Sequence, residues 1–236
     1  MGLKEIMEVL KKIAEELFGN EFQCKTYKNG ITLAAKDNSK GFSFGLISSP
    51  GSFQVREKIF AMKRFEEVEA ILQPLLKKYK MPQGDFEQGV YGVNFISTIK
   101  KAMPIQEIPG VDSSFIANRI HIDSGNEAQI RQILIEFKKA IEYQEEEFIN
   151  RYKTLKQVYE AQEQMTPDER GVFFSEPGPI RFLAIEALLN PSGELDSKFE
   201  ETINDYQAIE KKYPTEFKNY DKVTMELLKY FKGGKA

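Results

Sequence analysis

The sequence is poor in the residues that build most metal and redox sites. It has one cysteine, Cys24, one histidine, His121, and no tryptophan in 236 residues. Because zinc and most transition-metal sites take several thiolate or imidazole ligands, a structural zinc site within one chain is excluded. A single cysteine cannot form an internal disulfide, which agrees with a reducing compartment. We therefore expect no metal and a cytoplasmic location.

Glycine-rich phosphate-binding motifs are also missing. Neither Gly-x-Gly-x-x-Gly nor Gly-x-x-x-x-Gly-Lys-Ser/Thr occurs, and no Asp-x-Asp-x-Asn-Gly calcium loop is present. The sequence therefore gives no indication of the common classes of nucleotide-dependent enzyme, and we expect no cofactor.

The chain has no excess of positive charge and no long apolar run. It carries 33 Lys and Arg against 36 Asp and Glu, a net charge of −3 and a pI near 5.6. Nucleic-acid-binding domains usually have a pI above about 9, so nucleic acid is a disfavoured partner. No stretch approaches the roughly 18 apolar residues of a membrane helix, and the N-terminus lacks the apolar block of a signal peptide. We expect no membrane association.

What the sequence does contain is enough apolar surface for a core, at 41% hydrophobic and 12% aromatic residues. Apolar residues at helical spacing from Leu3 to Phe18 predict a first helix that ends at Gly19. Alternating patterns separated by turn residues then predict a four-strand antiparallel meander; its apolar positions are Phe22/Cys24, Ile31/Leu33/Ala35, Phe42/Phe44/Leu46 and Phe53/Val55.

Later segments predict further strands and helices. A helix begins at Arg64, and two more strands are expected at Tyr91–Phe95 and Ser114–Ile122. The segment between Pro104 and Gly110 is predicted to be an irregular link. The fold class is therefore α+β, with an antiparallel sheet of the meander and about two further strands, covered by helices.

A capping box at 124–127 predicts the start of a long helix. A near-heptad stripe follows it: Ile130, Leu134, Phe137, Ile141, Phe148, Tyr152, Leu155 and Tyr159. We expect one continuous helix to at least Tyr159; the alternative is a break near Glu145–Glu147. The chain after this long helix is predicted to be helical, and Ile180–Leu189 is apolar enough to be a buried helix. The predicted domains are an α/β sheet domain at 1–125 and a helical region at 126–236 organised on the long helix.

Two sets of residues are candidates for a site. In an extended strand Arg119, His121 and Asp123 project from one face, where His121 and Asp123 could form a general-base pair. The alternative is that Asp123 neutralises the positive end of the following helix. Glu176 and Arg181 flank a Pro-Gly-Pro turn, either as a salt bridge that locks the turn or with Arg181 presented to an anionic ligand.

The order helix, meander, helix, further strands and helices resembles the layout of several small bacterial proteins that occur in toxin-immunity systems. The resemblance concerns layout, and no residue is carried over from it. We expect a non-enzymatic protein that binds another protein, with an immunity-like or toxin-neutralising role as one form. The alternative is an enzyme of an unrecognised family that uses carboxylates or His121 in a cleft between sheet and helices.

Overall fold

The computed structural model describes residues 3–27, 30–49, 52–81, 95–117, 120–121, 127–190 and 195–233. The chain divides into two compact units. The first comprises Met1–Arg64 and Phe86–Arg151, and the second comprises Phe65–Asp85 and Tyr152–Ala236. The sequence-based division at residue 125 remains a prediction about independently folding parts.

The first unit is built on an antiparallel sheet, which confirms the predicted fold class. Five strands follow one another in space in chain order: β1 (Phe22–Tyr27), β2 (Gly30–Ala35), β3 (Lys40–Ser49), β4 (Ser52–Lys63) and β5 (Ile99–Pro104). The short β6 (Ile120–His121) pairs with β4. The predicted meander is therefore present, with Tyr27 opposite Gly30 at its first turn.

Alternation along the strands places the large side chains on one face. Leu33 lies opposite Phe42, and Phe44 lies opposite Ile59, and these four side chains are fully buried. Two helices contribute to this core, α1 (Leu3–Phe18), which contacts β1, and α4 (Glu127–Gln144), which contacts α1 and β4. The ring of Phe137 in α4 stacks on Phe44 with centroids 3.7 Å apart.

The predicted continuous helix from Glu127 to Tyr159 is wrong. After α4 the chain forms a π-helical turn at Glu145–Ile149 and then leaves the helix, and α5 (Leu155–Glu163) starts afresh. Two contacts account for the break. The ammonium group of Lys63 donates to the carbonyl oxygen of Ile149 at 3.0 Å, which satisfies a helix-terminal acceptor. Thr154 then caps α5 through a capping box with Gln157.

One other local prediction is wrong. The predicted strand at Ser114–Ile122 is instead a short helix, α3 (Ser114–Ala117), followed by β6. The cause is local, since the carboxylate of Asp112 accepts a hydrogen bond from the Ser114 amide at 3.0 Å and starts a turn. Pro104, predicted to bound an irregular link, is the last residue of β5, and a short 3-10 turn at Ile105–Glu107 follows it. Most of the strand predicted at Tyr91–Phe95, and residues 124–126 of the capping box, lie outside the described residues.

The second unit is helical. Its helices are α2 (Glu66–Lys78), α5, α6 (Pro167–Phe173), α7 (Gly178–Leu189), α8 (Leu195–Lys212) and α9 (Tyr220–Phe231). Helix α7 is the centre of this unit, because it contacts each of the other five helices. Eight of its residues are buried, including Ile180, Leu183 and Ile185, which confirms the prediction of a buried helix.

Candidate binding cleft

Of the predicted catalytic residues, the structure describes only the backbone of His121. It lies in β6, opposite Ser52 of β4. Arg119 and Asp123 lie outside the described residues. The proposed pairing of His121 with Asp123 therefore stays a prediction.

Arg181 is completely buried and is held on several sides. Its Nε and Nη2 donate to the two carboxylate oxygens of Glu69 at 2.8 and 3.1 Å. Its Nη1 donates to the carbonyl oxygens of Ser175, at 3.0 Å, and of Glu176. Of the two predicted alternatives, the structure shows the paired one. The acidic partner is Glu69 of α2, however, and Glu176 contributes its backbone.

A Gly-x-Ser-x-Gly pattern occurs at Gly41–Gly45, which in α/β-hydrolases forms the nucleophile elbow. An elbow requires a sharp turn between a strand and a helix. Here Ser43 lies inside β3, opposite Thr32 on one side and Phe60 on the other, and its side chain is fully buried. The pattern is therefore part of the sheet.

The second unit contains two adjoining cavities between α5, α6, α7 and α8. The larger has a volume of about 430 Å³ and is lined mostly by polar side chains, among them Tyr159, Gln162, Glu163, Lys198 and Glu201. The smaller has a volume of about 240 Å³ and is lined mainly by apolar groups, among them Pro167, Gly171 and Phe174. We call them the polar chamber and the apolar chamber, and together the two-chamber cleft.

Three residues line both chambers: Arg170, Pro179 and Phe182. Arg170 belongs to α6, a short helix that starts with Pro167 and a capping box between Thr166 and Glu169. The capping box fixes where α6 begins and therefore positions Arg170 one residue beyond it.

Aromatic rings form the apolar wall. The rings of Tyr159 and Phe182 are nearly parallel, with centroids 6.3 Å apart, and Phe174 lies 6.2 Å from Phe182. Phe173 continues the row with an edge contact to Phe174 at 5.1 Å. Such rings offer large apolar area at low entropic cost, as binding surfaces do.

Charges in the polar chamber are partly neutralised within the protein. The ammonium group of Lys198 donates to Oε1 of the buried Glu186. Partial burial, and then the carboxylates of Glu186 and Glu163, raise the pKa of Tyr159 above its usual value. The Tyr159 hydroxyl therefore keeps its proton at neutral pH and remains a hydrogen-bond donor.

Two polar groups of the cleft lack partners among the residues that the structure describes. Oε1 of Gln162 is buried and accepts no hydrogen bond, although the residue is only 2% exposed. The guanidinium group of Arg170 makes neither an ion pair nor a hydrogen bond within the same set of residues. A buried acceptor without a donor costs about 1–3 kcal/mol, so the cleft is incompletely satisfied as it stands.

The sequence analysis did not identify this cleft. Its lining residues are spread over four helices, and none of them forms a motif. The available signal was the Thr166-x-x-Glu169 capping box followed at once by Arg170 and Gly171, a short and unusually polar helix before the Phe173-Phe174 pair. Reading that signal as a cleft required the tertiary packing of α5 and α8.

Comparison of the chain with family models, curated proteins and solved structures finds no match. Within the described ranges, no cluster of three or more His, Cys, Asp or Glu could hold a metal ion. None of the helices described there is long and apolar enough to span a membrane.

Proposed function

We propose that this chain is a non-enzymatic protein that binds another protein, and that a segment of the partner occupies the two-chamber cleft. The observation that carries the proposal is the combination, in one cleft, of Arg170, which has no partner among the described residues, and an aromatic-lined apolar chamber. Binding sites typically have roughly 300–1,000 Å³ of mostly apolar space with a few polar groups that fix orientation.

The lining of the cleft favours binding over covalent catalysis. Among the described residues, neither chamber is lined by a cysteine, a serine or a histidine. The serine or cysteine nucleophile that a histidine base activates is therefore missing from the described lining, and the partner is expected to be held by packing and charge. The enzymatic alternative centred on His121 is not supported by any side chain that the structure describes.

A cytoplasmic location and an immunity-like role belong to the same proposal. Burial raises the pKa of the Cys24 thiol to about 11, so that it stays protonated and poorly reactive. An immunity-like role, in which the partner is a toxin and occupancy of the cleft neutralises it, is one form of this proposal.

The test is partner capture with cleft variants. Gly171 lines the apolar chamber and has open space around the position of an added Cβ, so Gly171→Trp obstructs the chamber without a backbone clash. Gly171→Ala is the matched control. Captured proteins are compared for the wild type and both variants, and the purified pair is then titrated by calorimetry.

We expect the partner to bind the wild type and Gly171→Ala equally and to lose about tenfold or more in affinity for Gly171→Trp. Equal binding of the purified partner to all three proteins would show that the cleft is not the site.

A further inference from the structure

The charge and the apolar lining of the two-chamber cleft identify the kind of segment that fits it. We infer that the occupant is the C-terminal residue of a partner protein, with its carboxylate on Arg170 and an apolar side chain in the apolar chamber. This inference rests on the proposed function and specifies the partner segment.

The guanidinium group of Arg170 is suited to bind an anion with two oxygen atoms. It lines both chambers and has no partner among the described residues, whereas the other arginine of this region, Arg181, is fully engaged by Glu69. The planar guanidinium fork matches a carboxylate in a bidentate arrangement, which is the strongest kind of charge-assisted hydrogen bond.

The apolar chamber has the size and the lining to hold one apolar side chain. Its wall is formed by Pro167, Phe174 and Phe182, and its volume of about 240 Å³ has room for one branched aliphatic or aromatic group. An extended run of residues would need a longer groove.

A carboxylate and an apolar side chain meet on a single Cα atom at the C-terminus of a protein chain. An internal Asp or Glu supplies a carboxylate but then has no apolar side chain of its own. A C-terminal residue supplies the carboxylate and the side chain together. Upstream of it, Glu163 and Glu201 of the polar chamber favour a basic residue in the departing chain.

The experiment uses the purified full-length protein and fluorescein-labelled peptides in an anisotropy titration. The probes are Gly/Ser peptides with one upstream lysine that end in leucine, phenylalanine or serine. Each is made with a free C-terminal carboxylate and with a C-terminal amide. N-acetyl-leucine serves as a small competitor.

We expect the leucine- and phenylalanine-ended carboxylates to bind about tenfold or more tightly than their amides and than the serine-ended peptide. Arg170→Gln abolishes the difference between carboxylate and amide. Lys156→Gln, which removes an exposed positive charge from α5 outside the cleft, changes neither the affinity nor that difference.

Three results would overturn the inference. Equal binding of carboxylate and amide would make the occupant an internal segment. Competition by N-acetyl-leucine as strong as that of the peptides would make it a small acid. Failure of every peptide, while a captured partner still depends on Gly171, would refute the C-terminal residue and leave the proposed function standing. Capture that is unaffected by Gly171→Trp refutes the proposed function itself.

Discussion

The guanidinium group of Arg181 in α7 donates from Nε and Nη2 to the two carboxylate oxygens of Glu69 in α2, and both side chains are fully buried. Gln73 donates a further hydrogen bond to Glu69 at 2.7 Å. Taking two charges out of water costs several kcal/mol for each ion, and only close bidentate geometry with added hydrogen bonds offsets that cost. The pair therefore joins α2 to α7 specifically.

Removing one member of this pair should be much worse than removing both. We expect Glu69→Leu or Arg181→Met alone to lower the free energy of unfolding by about 3–5 kcal/mol, because an uncompensated charge stays buried. The double variant Glu69→Leu/Arg181→Met should recover most of this loss. Urea unfolding of the four proteins in a double-mutant cycle measures it.

The exposed pair Lys156–Glu160 is the matched control, with a coupling of about 0.5 kcal/mol or less. A coupling energy between Glu69 and Arg181 that is equally small would contradict the stabilising role of this buried ion pair.

The elements that could be predicted are those whose cause is local in sequence. The meander follows from short alternating strands with turn residues between them, and the burial of α7 follows from its nearly uniform apolar composition. In both cases the neighbours in sequence already contain the physical reason.

The elements that could not be predicted depend on distant partners. Arg181 needed an acid, and the nearby Glu176 was the natural candidate, whereas the partner lies 112 residues away. The end of the π-helical turn that follows α4 depends on Lys63, 86 residues before the Ile149 carbonyl to which it donates. The apolar stripe runs through Phe148 and Tyr152 as if the helix continued, so periodicity alone could not reveal the break.

The buried face of α7 gives a graded stability prediction. Leu183 is buried, whereas Leu188 is only partly covered. Leu183→Ala should cost about 2–5 kcal/mol through lost burial and a cavity, and Leu188→Ala should cost less than that. The exposed Glu146→Ala should cost under about 0.5 kcal/mol. Equal unfolding midpoints for all three variants would rule out α7 as the core.

The capping box of α5 gives a second prediction. The Thr154 hydroxyl oxygen accepts a hydrogen bond from the backbone N–H of Gln157 at 3.3 Å. The side-chain oxygen of Gln157 accepts one from the backbone N–H of Thr154 at 3.0 Å. Thr154→Ala should therefore cost about 0.5–2 kcal/mol, and Thr154→Ser should cost little. Thermal unfolding compares the two, and equal losses would exclude the cap as the cause.

Two tyrosines of the second unit predict loss of stability in alkali. Burial, and then the Glu176 carboxylate, raise the pKa of Tyr220 to about 12. Burial also raises the pKa of Tyr206. Each neutral phenol is favoured in the folded state, so its contribution is fully present below the unfolded pKa of about 10 and is lost as pH rises toward the folded value.

Tyr206→Phe tests this cause. The Tyr206 hydroxyl is buried and has no hydrogen-bond partner among the described residues, and its ring lies 5.0 Å from that of Tyr220. The variant keeps the ring contact and removes the unsatisfied group, so it should raise stability by about 1 kcal/mol. It should also reduce the fall in stability between about pH 10 and 12. Unfolding by urea across this pH range is the measurement, and an unchanged pH profile would exclude Tyr206.

Arg170 and Arg181 offer the sharpest comparison, because one is unpartnered in the described structure and the other is fully paired. Replacing a paired buried arginine leaves Glu69 without compensation, whereas replacing Arg170 breaks no contact within the described residues. Arg170→Leu should therefore leave the free energy of unfolding within about 0.5 kcal/mol of the wild type, while it removes binding in the cleft. Urea unfolding and the anisotropy titration are measured on the same preparation. A loss of stability as large as that of Arg181→Met would give Arg170 a structural role, whereas lost binding at unchanged stability is what a side chain kept for a ligand should show.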